Sequence, residues 1–315
     1  MREQWRVRDM VGTISVLSAF SGWKALDEEE LAVMKTYSEE LAFVDREDGL
    51  ALEGAIISPA TTERKPVAVL WIHGNTSRFY DYPYVQLGRE VAGLGYTFIT
   101  ANTHGHDVIS VIWDDKGGST PGGACWERFD EVPLDIAPWI DLAVENGAKG
   151  VVLVGHSFGA NKVAYYQAVR QDPRVLGVVC ASGDVRWRAD AERIALAEKM
   201  EAEGREDEIL PPLEVSWYRM SVKTFLARAR IAQHVLTSTE QTPYIAQIAC
   251  PILAFYGTEE EWCGSQADLD EMRRHATAAA RVDTHLIEGA DHVYWGKADR
   301  AAELIGGWID QLLAS

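Results

Sequence analysis

The sequence predicts an α/β fold: a mostly parallel central sheet with helices on both faces and an inserted helical segment. Three observations predict it. Short apolar runs rich in β-branched residues alternate with helix-length segments, the order that builds a parallel sheet covered on both sides. At 150–166 a strand-like run, a glycine turn and a helix-like run follow one another directly. Over 184–246 the alternation stops, and the chain becomes charged and helix-forming with no clear strand.

The elements follow in order. Residues 41–45 and 50–57 form a hairpin across Asp48-Gly49, a strong turn signal. Residues 66–72 are a buried strand ending in His73-Gly74-Asn75, with a helix near 84–94 and a strand at 96–100. Residues 103–129 read as a long loop, a length that is usually functional or flexible. A helix at 132–145 leads to the 150–166 unit, and 175–181 is the next strand. Regular alternation resumes with a strand at 252–256, a helix at 266–280, a strand at 282–287 and a helix at 300–313. This gives a core of 39–183 and 247–315, with 184–246 as a helical cap carrying Pro211-Pro212.

Arg2, Arg6 and Arg8 precede a mildly apolar stretch in the manner of a secretory signal, but Asp9 interrupts it and no small-residue cleavage site is clear. No run reaches the ~18 apolar residues of a membrane span. Residues 1–38 are expected to form a helical extension packed on the domain or on the second subunit of a homodimer.

The chain has 315 residues and is 47% hydrophobic, enough for one large α/β domain with an inserted part. Its net charge of −18 argues against nucleic acid and anionic membrane surfaces. Cys125, Cys180, Cys250 and Cys263 are widely spaced and offer neither a zinc framework nor a disulfide scaffold, so a reducing cytoplasm is expected. No metal, nucleotide or flavin motif is present, and no cofactor is expected.

The chemistry centres on Gly155-His156-Ser157-Phe158-Gly159. A serine on a tight strand-to-helix turn sits in a strained conformation, and glycines let neighbouring backbone pass close by. The spacing is that of a nucleophile elbow. A serine hydroxyl needs an adjacent base, and the base needs an orienting acid. His292, in a loop after the last strand, is the best base; His156 should point away from the hydroxyl and His73 should brace a loop. His104 and His106 are spaced like metal ligands, but pocket-lining or structural roles suit them better.

His73-Gly74-Asn75, the Gly155–Gly159 motif, Tyr256-Gly257-Thr258-Glu259-Glu260 and Gly289-Ala290-Asp291-His292 together resemble the α/β-hydrolase superfamily, in its order of nucleophile, acid and histidine. Within it, the chain is most similar to serine esterases and lysophospholipase-type hydrolases with a helical cap. A further likeness, to siderophore-esterase-like hydrolases, rests on Asn102-x-x-Gly105-His106-Asp107 and on Gly155-His156-Ser157-x-Gly159-Ala160-x-Lys162. The resemblance implies Ser157 as nucleophile, His292 as base and Glu260 at the usual aspartate position, with Glu259 and Asp184 as alternative acids. It implies an oxyanion hole from the backbone N–H groups of Phe158 and Asn75. Trp113, Trp126, Trp187 and Trp217 are candidates to line a pocket under the cap. The expected reaction is cleavage of a small-molecule carboxylic ester, lactones and bulky esters included. An amidase, peptidase or C–C hydrolase on the same fold is the alternative, and a non-catalytic binding protein the third reading.

Overall fold

The protein is built on an eight-stranded sheet, seen in a computed structural model that describes residues 37–61, 63–211 and 219–314. In chain order the elements are β1 (Tyr37–Asp45), β2 (Ala51–Pro59), β3 (Val67–Ile72), α1 (Tyr82–Gly93), β4 (Thr97–Ala101), β5 (Ser110–Trp113) and β6 (Ser119–Gly122). There follow α2 (Val132–Glu145), β7 (Gly150–His156), α3 (Phe158–Arg170), β8 (Val175–Ala181), α4 (Ala191–Ala202) and α5 (Val222–Arg230). The chain continues through β9 (Ile252–Gly257), α6 (Gln266–His275), β10 (Val282–Ile287) and α7 (Ala298–Ala314).

The sheet order is β1-β2-β4-β3-β7-β8-β9-β10. β1 and β2 form the antiparallel hairpin, β2 pairs antiparallel with β4, and every pairing beyond is parallel. β3 and β7 are buried at every position. Ala68, Leu70, Ile72, Val151 and Leu153 face one core with Trp139 of α2 and Val163 of α3. Val69, Trp71, Val152 and Val154 face the other with Leu87 of α1 and Trp308 of α7. Both faces being covered, these strands need no polar alternation, which is why they read as continuous apolar runs.

The hairpin turn closes where Arg46 N–H donates to the Leu50 carbonyl and Gly49 takes a φ of 90°. β1 starts at Tyr37, four residues before the expected strand, and so takes in two residues assigned to the N-terminal extension. The rest of that extension lies outside the described residues. The 103–129 segment is not all loop: β5 and β6 pair as an antiparallel hairpin. Its turn is organised by Asp114, whose carboxylate accepts from the N–H groups of Lys116 and Gly118. α6 stops at His275, five residues short of expectation.

Between β8 and β9 the described residues contain α4, α5 and two short 3-10 turns, and no strand. Asp190 caps α4 and Ser221 caps α5, each accepting an N–H of the first turn. Met200, Leu210, Met220, Phe225 and Leu226 form a separate small core here.

The carboxyl ends of β3, β4, β7, β8, β9 and β10 lie along one edge of the sheet, and the segments leaving them carry Asn75, Ser157, Asp184, Glu260 and His292. Ligands of open α/β sheets bind at this edge.

Candidate active site

Ser157 follows β7 directly and has φ 55° and ψ −127°, a conformation that costs a non-glycine residue roughly 1–3 kcal/mol. The surrounding glycines are forced by contact. A Cβ on Gly155 would lie 2.1 Å from the Gly159 carbonyl oxygen, and one on Gly159 would lie 2.3 Å from that of Ile72. A Cβ on Gly74 would lie 2.9 Å from Ser157 Cβ. β3, β7 and α3 thus meet backbone to backbone at the serine.

His292 leaves the loop after β10. Its Nδ1 lies 2.9 Å and 3.1 Å from the two carboxylate oxygens of Glu260. Glu260 also accepts from the N–H groups of Trp262 and Cys263. Burial pushes its pKa up, but the His292 hydrogen bond and charge and the Trp262 N–H outweigh burial and bring it to about 2. The alternative acids are occupied or turned away. Asp184 caps its own loop, accepting from the N–H groups of Arg186 and Trp187. Glu259 and Glu261 are exposed and line the cavity mouth. Asp291 likewise fixes its loop, accepting from the N–H groups of Val293 and Trp295. Among the described residues Ser157 Oγ makes no hydrogen bond to His292; it lies 3.9 Å from Cys263 Sγ. Catalytic hydrogen bonds are often long before substrate arrives.

His156 turns away from the serine hydroxyl and joins three loops. Its Nε2–H donates to the main-chain carbonyl of His292 at 2.7 Å. A neutral imidazole then has Nδ1 as acceptor, here from the Tyr84 hydroxyl at 2.9 Å. The Tyr84 oxygen in turn accepts from Gly74 N–H at 3.3 Å. Burial, and then the nearby His292, lower the His156 pKa to about 3, so the ring stays neutral.

The loop after β3 is braced from below. His73 Nε2 accepts from the Thr103 N–H, and its Nδ1 faces the Gly74 carbonyl. The Asn102 side-chain oxygen accepts from Phe79 N–H, and Asp107 pairs with Arg78 at 2.5 Å. The Asn102–Asp107 motif therefore holds this loop. Lys162 donates to Thr103 Oγ1 at 2.9 Å and pairs with the buried Glu127 at 2.5 Å. Arg228 of α5 reaches the other Glu127 oxygen at 3.1 Å and the Asn75 side-chain oxygen at 2.9 Å. Burial raises the Glu127 pKa, but Lys162, Arg228 and His104 overcome it and hold it at about 2. His104 is engaged by Asp135 at 2.7 Å and His106 by Asp107 at 2.8 Å.

A cavity of about 830 Å³ opens over Ser157 and His292, with Asn75, Phe158, Trp187 and Trp262 in its walls. Of the tryptophans expected there, Trp187 lines it. Trp113 is exposed on β5 and Trp126 donates its indole N–H to the Asp207 carbonyl; neither lines it. Trp217 lies outside the described residues. Trp262 and Cys263 have no sequence signal of their own, although they directly follow the glutamate run that contains Glu260. Tyr84, Glu127 and Arg228 were missed because nothing local marks them. Among the described residues Glu260, Cys263 and His292 form a group close enough to hold a metal ion, with ligand atoms within 4.8 Å of one another. The Glu260–His292 hydrogen bond already uses two of these groups.

Residues 69–304 match the profile of the Alpha/beta hydrolase family. No curated protein matches the sequence. Among solved structures, Est1E from Butyrivibrio proteoclasticus, with ferulic acid bound, superposes with a TM-score of 0.61 at 17% identity, covering 87% of this chain and 100% of that one. Esterase Pf2001 of Pyrococcus furiosus superposes with a TM-score of 0.56 at 14% identity, over 93% of this chain and 97% of that one. An esterase domain from Rhodothermus marinus gives 0.54 at 14% identity, over 86% and 97%. At these identities the likeness is one of fold. Among the described residues no helix is long and apolar enough to cross a membrane.

Proposed function

This chain belongs to the alpha/beta hydrolase family, and from that premise we propose that it is a serine hydrolase cleaving carboxylic esters through an acyl-enzyme. Ser157 is the nucleophile, His292 the general base and Glu260 the acid that orients it. The observation that carries this reading is the Glu260–His292 pair, 2.9 Å apart, opening onto the same cavity as a serine in the strained elbow conformation.

His292 takes the proton of Ser157 Oγ as the oxygen attacks the ester carbonyl. Because Nδ1 is held by Glu260, Nε2 is the nitrogen left for the serine. The oxyanion is met by the N–H groups of Phe158, at the start of α3, and of Asn75. Such preorganised donors are worth about 3 kcal/mol each in the transition state. His292 then protonates the departing alcohol, and water activated by the same ring releases the acid.

The cavity is of a size that takes drug-sized molecules. Trp187 and Trp262 offer flat apolar walls, and Asp184, Glu259, Glu261 and Asp291 outnumber Arg186 in the lining, which disfavours anionic groups. The best-fitting substrates are neutral esters with a bulky or aromatic acyl group, a reading that the ferulic acid bound to Est1E supports. Residues 184–246 act as the cap and contribute Asp184, Arg186 and Trp187 to the cavity lining.

The test is hydrolysis of a panel of activated esters, from acetate to cinnamate-type acyl groups, by wild type, Ser157→Ala and His292→Ala. Turnover in wild type that vanishes in both folded variants is expected. Turnover that survives in Ser157→Ala refutes the nucleophile, and a correctly folded wild type inert toward every ester but active on amides moves the bond.

A further inference from the structure

Asn75 carries a side chain whose orientation is set from outside its own loop. Its side-chain oxygen accepts from Arg228 Nη2 at 2.9 Å. A guanidinium has only donors, so the amide oxygen must face Arg228, and the NH2 end is left for the cavity that Asn75 lines. Arg228 itself is 3% exposed, at the end of α5, within the inserted segment. The same Nη2 is 3.1 Å from Glu127, and the guanidinium lies 4.3 Å from the centre of the Phe158 ring. Glu127 is anchored by Lys162 from α3. Arg228 therefore touches both residues proposed to supply the oxyanion donors, and among the described residues the buried Glu127 and Phe158 hold it in place.

We propose that Arg228 is a positioning residue for the oxyanion hole: it holds the Asn75 amide with its NH2 toward the oxyanion, adding a side-chain donor to the two backbone N–H groups. The inserted segment thereby takes part in transition-state stabilisation without touching the substrate. This rests on the ester-hydrolase reading above. The role differs from packing. Lysine at 228 keeps the charge beside Glu127 but has no planar guanidinium to lie over the Phe158 ring and aim one nitrogen at both Glu127 and Asn75.

The experiment is a double-mutant cycle with Arg228→Lys and Asn75→Ala, reading kcat and KM on the best ester and thermal unfolding for each protein. A serine-directed arylboronic acid supplies a second readout by calorimetry, because its tetrahedral adduct places an oxygen in the oxyanion hole without turnover. Asn75→Ala is expected to lower kcat by ~100-fold, the usual loss for one oxyanion donor, with KM little changed. Arg228→Lys is expected to lower kcat by ~10-fold or more in the wild-type background and by less than ~2-fold in Asn75→Ala. Boronate affinity should follow kcat. Equal losses from Arg228→Lys in both backgrounds overturn the proposal, as does a loss confined to KM or to the unfolding temperature.

Should Arg228→Lys fail to fold, Asn75→Asp decides. It keeps an oxygen for Arg228 but presents a second oxygen to the oxyanion, so kcat should fall by ~100-fold or more in a stable protein. Wild-type kcat in Asn75→Asp overturns the proposal. Failure of the ester reading is seen separately, as absence of Ser157-dependent turnover and of boronate binding in wild type.

Discussion

Nδ1 of His292 is bracketed by both carboxylate oxygens of Glu260, at 2.9 Å and 3.1 Å, while the neighbouring Glu259 and Glu261 point into solvent at the cavity mouth. Of the three glutamates in the run, Glu260 is the one that lies within hydrogen-bonding distance of His292. Glu260→Gln should keep the fold and lower kcat by roughly 10³–10⁴-fold, since an amide favours the wrong imidazole tautomer. Glu259→Ala and Asp184→Ala should stay within a few-fold of wild type. Steady-state kinetics on the three variants check this, and a silent Glu260→Gln would remove the glutamate from the mechanism.

The Gly74–Tyr84–His156–His292 chain makes stability depend on pH in a definite direction. The pKa of His156 is about 3 in the folded protein against ~6.5 for the free side chain. The unfolded state thus binds a proton below pH 6.5 that the folded state refuses. The stabilisation is full above pH 6.5 and declines as pH falls from there toward 3. Between pH 7 and pH 5 it amounts to about 2 kcal/mol. Urea midpoints at the two pH values should show the decline in wild type and a shallower one in His156→Gln, although that variant starts less stable.

Glu127 gives the complementary case at lower pH. Its carboxyl, held at about 2 between Lys162 and Arg228, contributes stability that is full above its ordinary value near 4.5 and lost as pH falls from 4.5 to 2. Glu260 shares that window. Glu127→Gln leaves two buried cations without their carboxylate and should cost about 3–5 kcal/mol at neutral pH. Thermal unfolding at pH 7 and pH 4 reads both effects, and an unchanged midpoint at pH 7 would contradict the buried triad.

Two glycines should respond to alanine in opposite ways. In Gly159→Ala the added Cβ meets the Ile72 carbonyl at 2.3 Å, main chain against main chain, so the elbow cannot form and little folded protein is expected. In Gly74→Ala the Cβ meets Ser157 Cβ at 2.9 Å and Oγ at 3.5 Å. That protein should fold and lose more than ~100-fold in kcat, because the nucleophile is displaced. Yield and near-ultraviolet circular dichroism separate the two outcomes.

The strands of the parallel sheet were legible because burial on both faces makes them uninterrupted apolar runs, and the elbow because steric contact forces glycine around Ser157. The bracing of the oxyanion loop was not legible. His73, Thr103, Glu127, Lys162 and Arg228 come from five separate segments, and only the fold brings them together. The β5–β6 hairpin is hidden in the sequence because its turn is held by the Asp114 carboxylate within a glycine-rich stretch that reads as loop. Aromatic character alone makes Trp113 and Trp126 pocket candidates, but it does not say which way a ring faces.

The carboxylate of Glu260 is moored by the N–H groups of Trp262 and Cys263, and those two residues also form part of the cavity wall. A ligand pressing on that wall therefore pulls on the anchor of the carboxylate proposed as the catalytic acid. Poorly shaped acyl groups should consequently be discriminated in turnover more than in affinity: they enter, but leave the histidine misaligned. Selectivity in this enzyme would then be expressed as a timing error in proton transfer and not as exclusion at the door.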